Sequence, residues 1–233
     1  MFLGIILLTF IACTSDNDMT FTASNPAGDT LNQSLTFLAL GDSYTIGESV
    51  SEAQRWPVQL VNAINAKGFH HSFEQPNVVA RTGWTTQELQ EGIAAHNLNK
   101  DYDLVSLLIG VNNQYRGQSV STYQAEFRTL LQQAIGFAGG RIDHVIVLSI
   151  PDYGYTPFGA NKKEEISKAI DDYNAVNEKI TDELGVRYYD ITPISRTDDP
   201  HMVAGDGLHP SGKQYEAWVE LILTDFRLQK WFE

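Results

Sequence analysis

Residues 37–48, "FLALGDSYTIGE", set the fold because an apolar strand stops abruptly at Gly41, Asp42 and Ser43. A turn explains the glycine, and a helix cap explains Asp42 or Ser43. Neither role requires a partner elsewhere in the chain. A nucleophilic serine does require one, because its hydroxyl needs a base. The rest of the sequence therefore decides between these interpretations of Ser43.

Further apolar runs resemble this strand, and longer helical patterns separate them. The predicted strands are 34–40, 77–80, 104–110, 144–150 and 186–191. Three of them are nearly continuous in apolar residues, which is typical of a parallel sheet covered on both faces. Amphipathic patterns predict helices around residues 56–64 and 166–180, and a last helix over 211–228.

Strands that alternate with helices predict an α/β fold, a three-layer α/β/α sandwich with about five parallel strands. Residues 34–233 contain no repeat and no linker, which favours one domain. Ligands in such folds bind beyond the carboxyl ends of the strands. The residues that directly follow each strand are therefore the candidate site.

Those segments contain the residue types that acyl transfer needs. Ser43 follows the first strand, Gly83 the second and Asn112 the third, while Asp206 and His209 follow the fifth by way of a loop. Imidazole, with a pKa of about 6.5, can take the serine proton, and a carboxylate on its other nitrogen fixes the tautomer. The amides of Ser43 and Gly83 and the side chain of Asn112 are candidate donors to the oxyanion.

This set of residues resembles the SGNH (GDSL-type) hydrolase family, which is named for Ser, Gly, Asn and His in four sequence blocks. The blocks match in order at Gly41-Asp42-Ser43, at Gly83, at Gly110 with Asn112, and at Asp206 with His209. Tyr44 stands where the family usually has leucine, and Asn113 where it usually has aspartate. The resemblance implies a flavodoxin-like fold, ester hydrolysis without a metal or other cofactor, and a catalytic triad of Ser43, His209 and Asp206.

Each of these residues also has a structural interpretation. Ser43 alone would serve as a helix cap, Gly83 would permit a left-handed backbone, and Asn112 would form a turn. Asp42 is interpreted as a brace for the turn, and Asn113 as structural.

Side chains near the ends of the strands are candidates for contact with substrate. These candidates are Tyr44, Trp84, Tyr115, Tyr153 and His201, with Tyr155 and Phe158 nearby. Plain packing explains aromatic residues at such positions about as often as binding does. The alcohol and acyl parts of the ester stay open: an acetylated glycan and a (lyso)lipid ester both fit.

The N-terminal segment predicts export. "MFLGIILLTFIAC" is uncharged and apolar, too short to cross a bilayer, and ends at the single cysteine of the chain. It resembles a bacterial lipoprotein signal, which implies a signal peptide at 1–12, lipidation of Cys13 and a lipoprotein of the cell envelope. A buried first strand is the alternative. Residues 13–33 are rich in Ser, Thr, Asn and Asp, which predicts a flexible tether.

Composition excludes several other classes of function. The formal charge is −13, and no basic cluster suits nucleic acid. One cysteine excludes a cysteine-based zinc site, and no phosphate-binding glycine loop occurs. The family resemblance implies that the protein needs no metal and no cofactor. Two rivals to the serine esterase remain: a glycan-binding surface module without catalysis, and a flavin-binding relative of flavodoxin.

Overall fold

The computed structural model describes residues 34–69, 71–99 and 101–225. The predicted signal peptide, the tether with Cys13, and the far end of the last predicted helix lie outside these residues. The described part belongs to the second of two compact units, Asn32–Glu233. Within it, no helix has the length and apolar character that crossing a membrane requires.

Five parallel strands form the central sheet, in the order β4-β2-β5-β6-β7. The strands of the described residues are β1 (Ser34–Leu35), β2 (Phe37–Gly41), β3 (Ser72–Phe73), β4 (Asn77–Ala80), β5 (Leu104–Leu108), β6 (Val145–Leu148) and β7 (Arg187–Tyr189). Every residue of β2, β5 and β6 is buried, as their apolar sequences predict. The predicted α/β fold with about five parallel strands is confirmed.

Helices cover the sheet in two groups. The helices of the described residues are α1 (Ser43–Ile46), α2 (Trp56–Asn65), α3 (Thr86–Ala95), α4 (Val111–Tyr115), α5 (Val120–Phe137), α6 (Lys163–Glu183), α7 (Thr192–Ser195) and α8 (Gly212–Leu223). In one group α2 and α7 contact α8, and in the other α3 and α6 contact α5. The last helix of the described residues, α8, ends at Leu223, before the predicted end at residue 228.

The first predicted strand, 34–40, is two strands rather than one. The backbone N–H and the hydroxyl of Thr36 both donate to Oδ2 of Asp103, at 2.9 and 3.0 Å. This contact interrupts the run, so that β1 pairs with β3 in a separate two-stranded sheet while β2 joins the main sheet. The predicted strand 77–80 matches β4 at both ends, and the other three predicted strands extend one or two residues beyond the observed ones.

The order of the strands reverses between β2 and β5, which are neighbours inside the sheet. The chain passes from β2 outward to β4 and then returns to the other side of β2 as β5. In open parallel sheets a crevice forms at such a point, outside the carboxyl ends of the two adjacent strands. The segments after β2 and β5, which contain Ser43 and Asn112, meet there.

Candidate active site

A cavity of about 180 Å³ brings together residues from distant parts of the chain. Ser43 from the segment after β2, Asn112 from α4 and His209 from the loop before α8 all line it. The predicted nucleophile, the predicted base and one predicted oxyanion donor therefore share one cavity.

Ser43 is the first residue of α1, and only Asp42 separates it from the end of β2. The backbone there is tightly packed, because a Cβ on Gly41 would lie 2.5 Å from the carbonyl oxygen of Leu108. Asp42 caps α1: its Oδ1 accepts a hydrogen bond of 3.0 Å from the amide of Tyr44. Burial raises the pKa of Asp42 to about 7, although this amide lowers it. The side chain braces the turn that presents Ser43.

His209 is held by Asp206 within a short loop. The Nδ1 of His209 lies 2.6 Å from Oδ2 of Asp206, and the amides of Leu208 and His209 both donate to Oδ1 at 3.0 Å. An ionised acid at Nδ1 makes that nitrogen the protonated one and leaves Nε2 with a free lone pair. The ring of Tyr44 packs edge-on against the imidazole, with 6.0 Å between the ring centroids.

A further hydroxyl group contacts the acid. Ser49 donates to Oδ2 of Asp206 at 2.7 Å, and among the described residues it is the non-glycine residue with a positive φ, at 66°. Partial burial raises the pKa of Asp206, but the hydrogen bonds from His209, Ser49 and the two amides outweigh it and hold the pKa well below its usual range. Sequence reasoning missed Ser49, because nothing in "GESVSE" distinguishes this serine from a surface residue.

Asn112 links the third sequence block to the second. Its Nδ2 donates to the carbonyl oxygen of Trp84 at 3.0 Å, which brings the segment of Gly83 and Trp84 alongside it. Gly83 has φ +87°, a left-handed conformation that favours glycine, but it is not part of the cavity lining. The second hydrogen of the Asn112 amide remains available to a ligand.

Asn113 has a different environment from its neighbour. It is buried, its Oδ1 accepts from the amide of Thr86, and its Nδ2 donates to the hydroxyl of Thr86 and to Gln118. These bonds join α4 to the start of α3. The structure thus gives Asn113 contacts of the structural kind that the sequence suggested.

Only some of the predicted substrate-contacting residues reach the cavity. Tyr44, Tyr115 and Tyr153 line it, and Phe158 does so with them. Trp84 and His201 lie outside. The indole of Trp84 covers Gly92 on α3, where a Cβ would collide with it. His201 is an exposed residue in the 3₁₀ turn Pro200–Met202.

The side chains around this cavity offer no metal site. In the part of the chain that the structure describes, no three His, Cys, Asp or Glu side chains cluster closely enough to hold a metal ion. The polar groups of the cavity lining are the imidazole of His209, the hydroxyl of Ser43, the amide of Asn112 and the phenol groups of three tyrosines, and the carboxylate of Asp206 contacts the imidazole from behind. This set suits proton transfer and stabilisation of an oxyanion.

Comparison with a known protein family gives a match over most of the domain. The model of the GDSL-like lipase/acylhydrolase family matches residues 39–217. This range contains Ser43, Gly83, Asn112, Asp206 and His209. A comparison with curated protein sequences finds no significant match.

Solved structures give the same fold. The crystal structure of TesA has a TM-score of 0.65 at 16% identity, covering 84% of this chain and 99% of that one. The lipase/acylhydrolase from Enterococcus faecalis has a TM-score of 0.62 at 24% identity, covering 84% and 96%. Axe2, an acetylxylan esterase from Geobacillus stearothermophilus, has a TM-score of 0.63 at 19% identity, covering 83% and 94%. At such identities the likeness concerns the fold alone.

Proposed function

The chain belongs to the GDSL-like lipase/acylhydrolase family, and on this premise we propose that it is a serine esterase with Ser43, His209 and Asp206 as its triad. Family membership supports hydrolysis of ester bonds. The roles of the individual residues are the part that we propose, and they rest on the geometry of the cavity.

The first half of the proposed reaction forms an acyl-enzyme. Nε2 of His209 takes the proton of Ser43 as Oγ attacks the ester carbonyl carbon and forms a bond to it. Asp206, bonded to Nδ1, stabilises the imidazolium. The amide of Ser43 and the free N–H of Asn112 donate to the oxyanion, and the amide of Gly83 is the third proposed donor.

The second half releases the products. The tetrahedral intermediate collapses, the bond from carbon to the alcohol oxygen breaks, and the imidazolium gives its proton to the leaving alcohol. A water molecule then attacks the acyl carbon while His209 takes one of its protons. The acid leaves, and Oγ of Ser43 recovers its proton from the ring.

One observation carries this proposal. Ser43 and His209 line the same cavity, and Nδ1 of His209 is hydrogen-bonded to Oδ2 of Asp206 at 2.6 Å. The remaining ring nitrogen is then the base available to a substrate in that cavity. A purely structural role for the pair of Asp206 and His209 does not require His209 to share a cavity with a serine from the other end of the domain.

Replacement of the nucleophile tests the proposal. We expect Ser43→Ala to lower kcat on p-nitrophenyl acetate by about 10⁴- to 10⁶-fold, because the covalent step is lost. We expect a fluorophosphonate probe to label the wild type but not this variant. Ser121→Ala, at an exposed serine of α5, is the matched control and should keep both properties. Hydrolysis or labelling that survives in Ser43→Ala would disprove the mechanism.

The exposed aromatic rim favours a second candidate, a glycan-binding module without catalysis. Tyr115 and Phe158 present apolar rings to solvent beside the cavity. Such a module would bind oligosaccharides but would neither hydrolyse esters nor react with the fluorophosphonate probe. The same experiment therefore separates the two candidates.

We also propose that the protein is an exported lipoprotein of the bacterial envelope, anchored by a lipid on Cys13. The apolar run that ends at this cysteine and the polar tract after it support the proposal. An envelope location is compatible with either a glycan ester or a lipid ester as substrate.

A further inference from the structure

A second cleft, of about 470 Å³, lies beside the cavity of Ser43 and His209. The side chains of Tyr115, Tyr153 and Phe158 line both spaces and form a ridge between them. We infer that this cleft is a subsite for the alcohol part of the substrate, and that this alcohol is an uncharged oligosaccharide. The inference rests on the proposed esterase function and adds the substrate class to it.

Two of the three rings of the aromatic ridge are exposed, while Tyr153 is buried. Tyr115 is 61% exposed and Phe158 53%, and the third large apolar side chain that is exposed among the described residues, Ile142, lies at the opposite end of the sheet. The rings of Tyr115 and Phe158 lie 6.1 Å apart between centroids, and each lies 6.3 Å from Tyr153. Exposed aromatic rings that cluster beside a cavity favour a binding surface. Flat, exposed rings suit the C–H faces of sugar rings.

The structure holds this ridge in place relative to the reacting groups. The amide of Phe158 donates to the carbonyl oxygen of Gly207 at 3.0 Å, one residue from Asp206. Tyr115 ends the short helix that carries Asn112, and the hydroxyl of Tyr153 donates to Gln114 at 2.9 Å on the same helix. A group bound on the ridge is thereby positioned with respect to both the triad and the proposed oxyanion site.

Beyond the ridge, the cleft lining is mixed, with four polar or charged side chains beside Ile166 and two glycines. Its lining includes Gln114, Asn161, Lys162 and Glu165. A hydrocarbon chain bound there would take these groups out of water without giving them partners, which is unfavourable. Sugar hydroxyls both donate and accept hydrogen bonds, and so replace the lost water.

Charge argues for a neutral ligand. Nζ of Lys162 lies 3.9 Å from Oε2 of Glu165, so the cationic group of the cleft is balanced by an acidic one. The whole chain has a formal charge of −13. A phosphate-bearing lipid head group or an acidic polysaccharide would find no net positive charge here.

The sizes of the two spaces suit the two parts of the proposed substrate. Ligand pockets are commonly about 300–1,000 Å³, and the 180 Å³ cavity at Ser43 is smaller than this range while the second cleft falls within it. The smaller space suits a short acyl group such as acetyl. The larger space suits an alcohol of several sugar units.

The test compares two acetate esters that differ only in the length of the alcohol. The substrates are a mono-acetylated xylose and a mono-acetylated xylotetraose. The assay measures the release of acetate from each. We expect kcat/KM of the wild type to be about tenfold higher for the tetrasaccharide ester than for the monosaccharide ester. The double variant Tyr115→Ala with Phe158→Ala should reduce this ratio of kcat/KM values to near one. The reason is that each aromatic contact contributes about 2- to 10-fold to binding of the longer alcohol. Ile142→Ala is the matched control and should keep the wild-type ratio.

A direct measurement of binding separates this inference from the esterase proposal. Calorimetry should detect binding of unacetylated xylotetraose to the Ser43→Ala variant. Adding Tyr115→Ala and Phe158→Ala to this variant should weaken the binding by about tenfold. If the alanine variants do not fold, Tyr115→Leu with Phe158→Leu keeps the apolar bulk without flat faces, and the same losses are expected.

Three results would overturn the inference while leaving the esterase intact. They are an equal rate on both acetates in the wild type, an unchanged ratio in the ring variants, and faster hydrolysis of lysophosphatidylcholine than of the tetrasaccharide ester. A different result would contradict the esterase proposal itself. In that case, hydrolysis of the two acetate esters would be absent or would not depend on Ser43.

Discussion

At the scale of single residues, Asp206 receives four hydrogen bonds, and one of them comes from Ser49 in a left-handed turn. A non-glycine residue in this conformation is disfavoured by about 1–2 kcal/mol. The contact with the acid offsets that cost. We therefore interpret Ser49 as a positioning residue, which acts through Asp206 on the orientation of the imidazole.

Replacement of Ser49 separates its hydroxyl from its backbone. We expect Ser49→Ala to lower kcat about 2- to 10-fold with KM unchanged, because a partly exposed hydrogen bond to the carboxylate is lost. Ser49→Gly should be equally slow but more stable to heat than the alanine variant, since glycine relieves the strain. Ser49→Asn tolerates the left-handed backbone and offers an N–H donor, so it should recover activity. Full activity in Ser49→Gly would contradict the role of the hydroxyl.

The sequence predicts residues that belong to a spaced pattern and misses residues defined by a contact. Asp206 and His209, three positions apart, could be paired from spacing alone, and their side chains do meet. Ser49 contacts Asp206 from a remote part of the chain, and no local signal marks that contact. Trp84 follows a strand as predicted, but the space over Gly92 decides where its ring goes.

At the scale of elements, the cap of α1 is a buried carboxyl group next to the proposed nucleophile. Burial raises the pKa of Asp42 from 3.8 to about 7 in the folded protein. Between these two values the folded state holds a proton that the unfolded chain releases. The contribution of Asp42 to stability is therefore fully present below about pH 4 and is lost as the pH rises through about 7.

Asp42→Asn should remove this pH dependence. The wild-type free energy of unfolding should fall by about 4 kcal/mol more than that of the variant between pH 4 and pH 8, at roughly 1.4 kcal/mol per pKa unit. Urea denaturation at a series of pH values measures both curves. Glu91→Gln, at an exposed residue of α3, is the control and should follow the wild type. Parallel curves for Asp42→Asn and the wild type would contradict a buried, protonated cap.

Element boundaries show where sequence periodicity is sufficient and where it is not. The apolar residues of α5 recur at helical spacing, with Tyr123, Phe127, Leu130 and Ala134 all buried, yet this helix was not among the predicted elements. The break at Thr36 could not have been predicted, because it depends on a contact with Asp103, which lies 67 positions away in the sequence. Burial patterns along one segment are local, whereas strand ends depend on neighbouring strands.

At the scale of the whole molecule, residues 32–233 form one compact unit that contains every residue proposed for catalysis. We expect a chain that begins at Asn32 to keep its melting temperature and to retain kcat/KM on p-nitrophenyl acetate within about twofold of the full chain. A truncated chain that fails to fold would show that residues 1–31 belong to the domain.

The proposed lipid anchor on Cys13 has its own test. Full-length protein expressed in bacteria should incorporate labelled palmitate, and the Cys13→Ser variant should not. Labelling of Cys13→Ser would exclude the proposed anchor.

The acid and the base sit in one small loop, closed by the amide of Ala204 on the carbonyl oxygen of His209 at 2.7 Å, while the serine lies near the start of the domain. The two parts meet through the docking of α2 on α8, where Nε2 of Gln59 donates to the carbonyl oxygen of Gly212 at 3.0 Å. Half-assembled intermediates would therefore be inert. Turnover by the proposed triad would then report complete assembly, and partly folded chains would spare the esters around them.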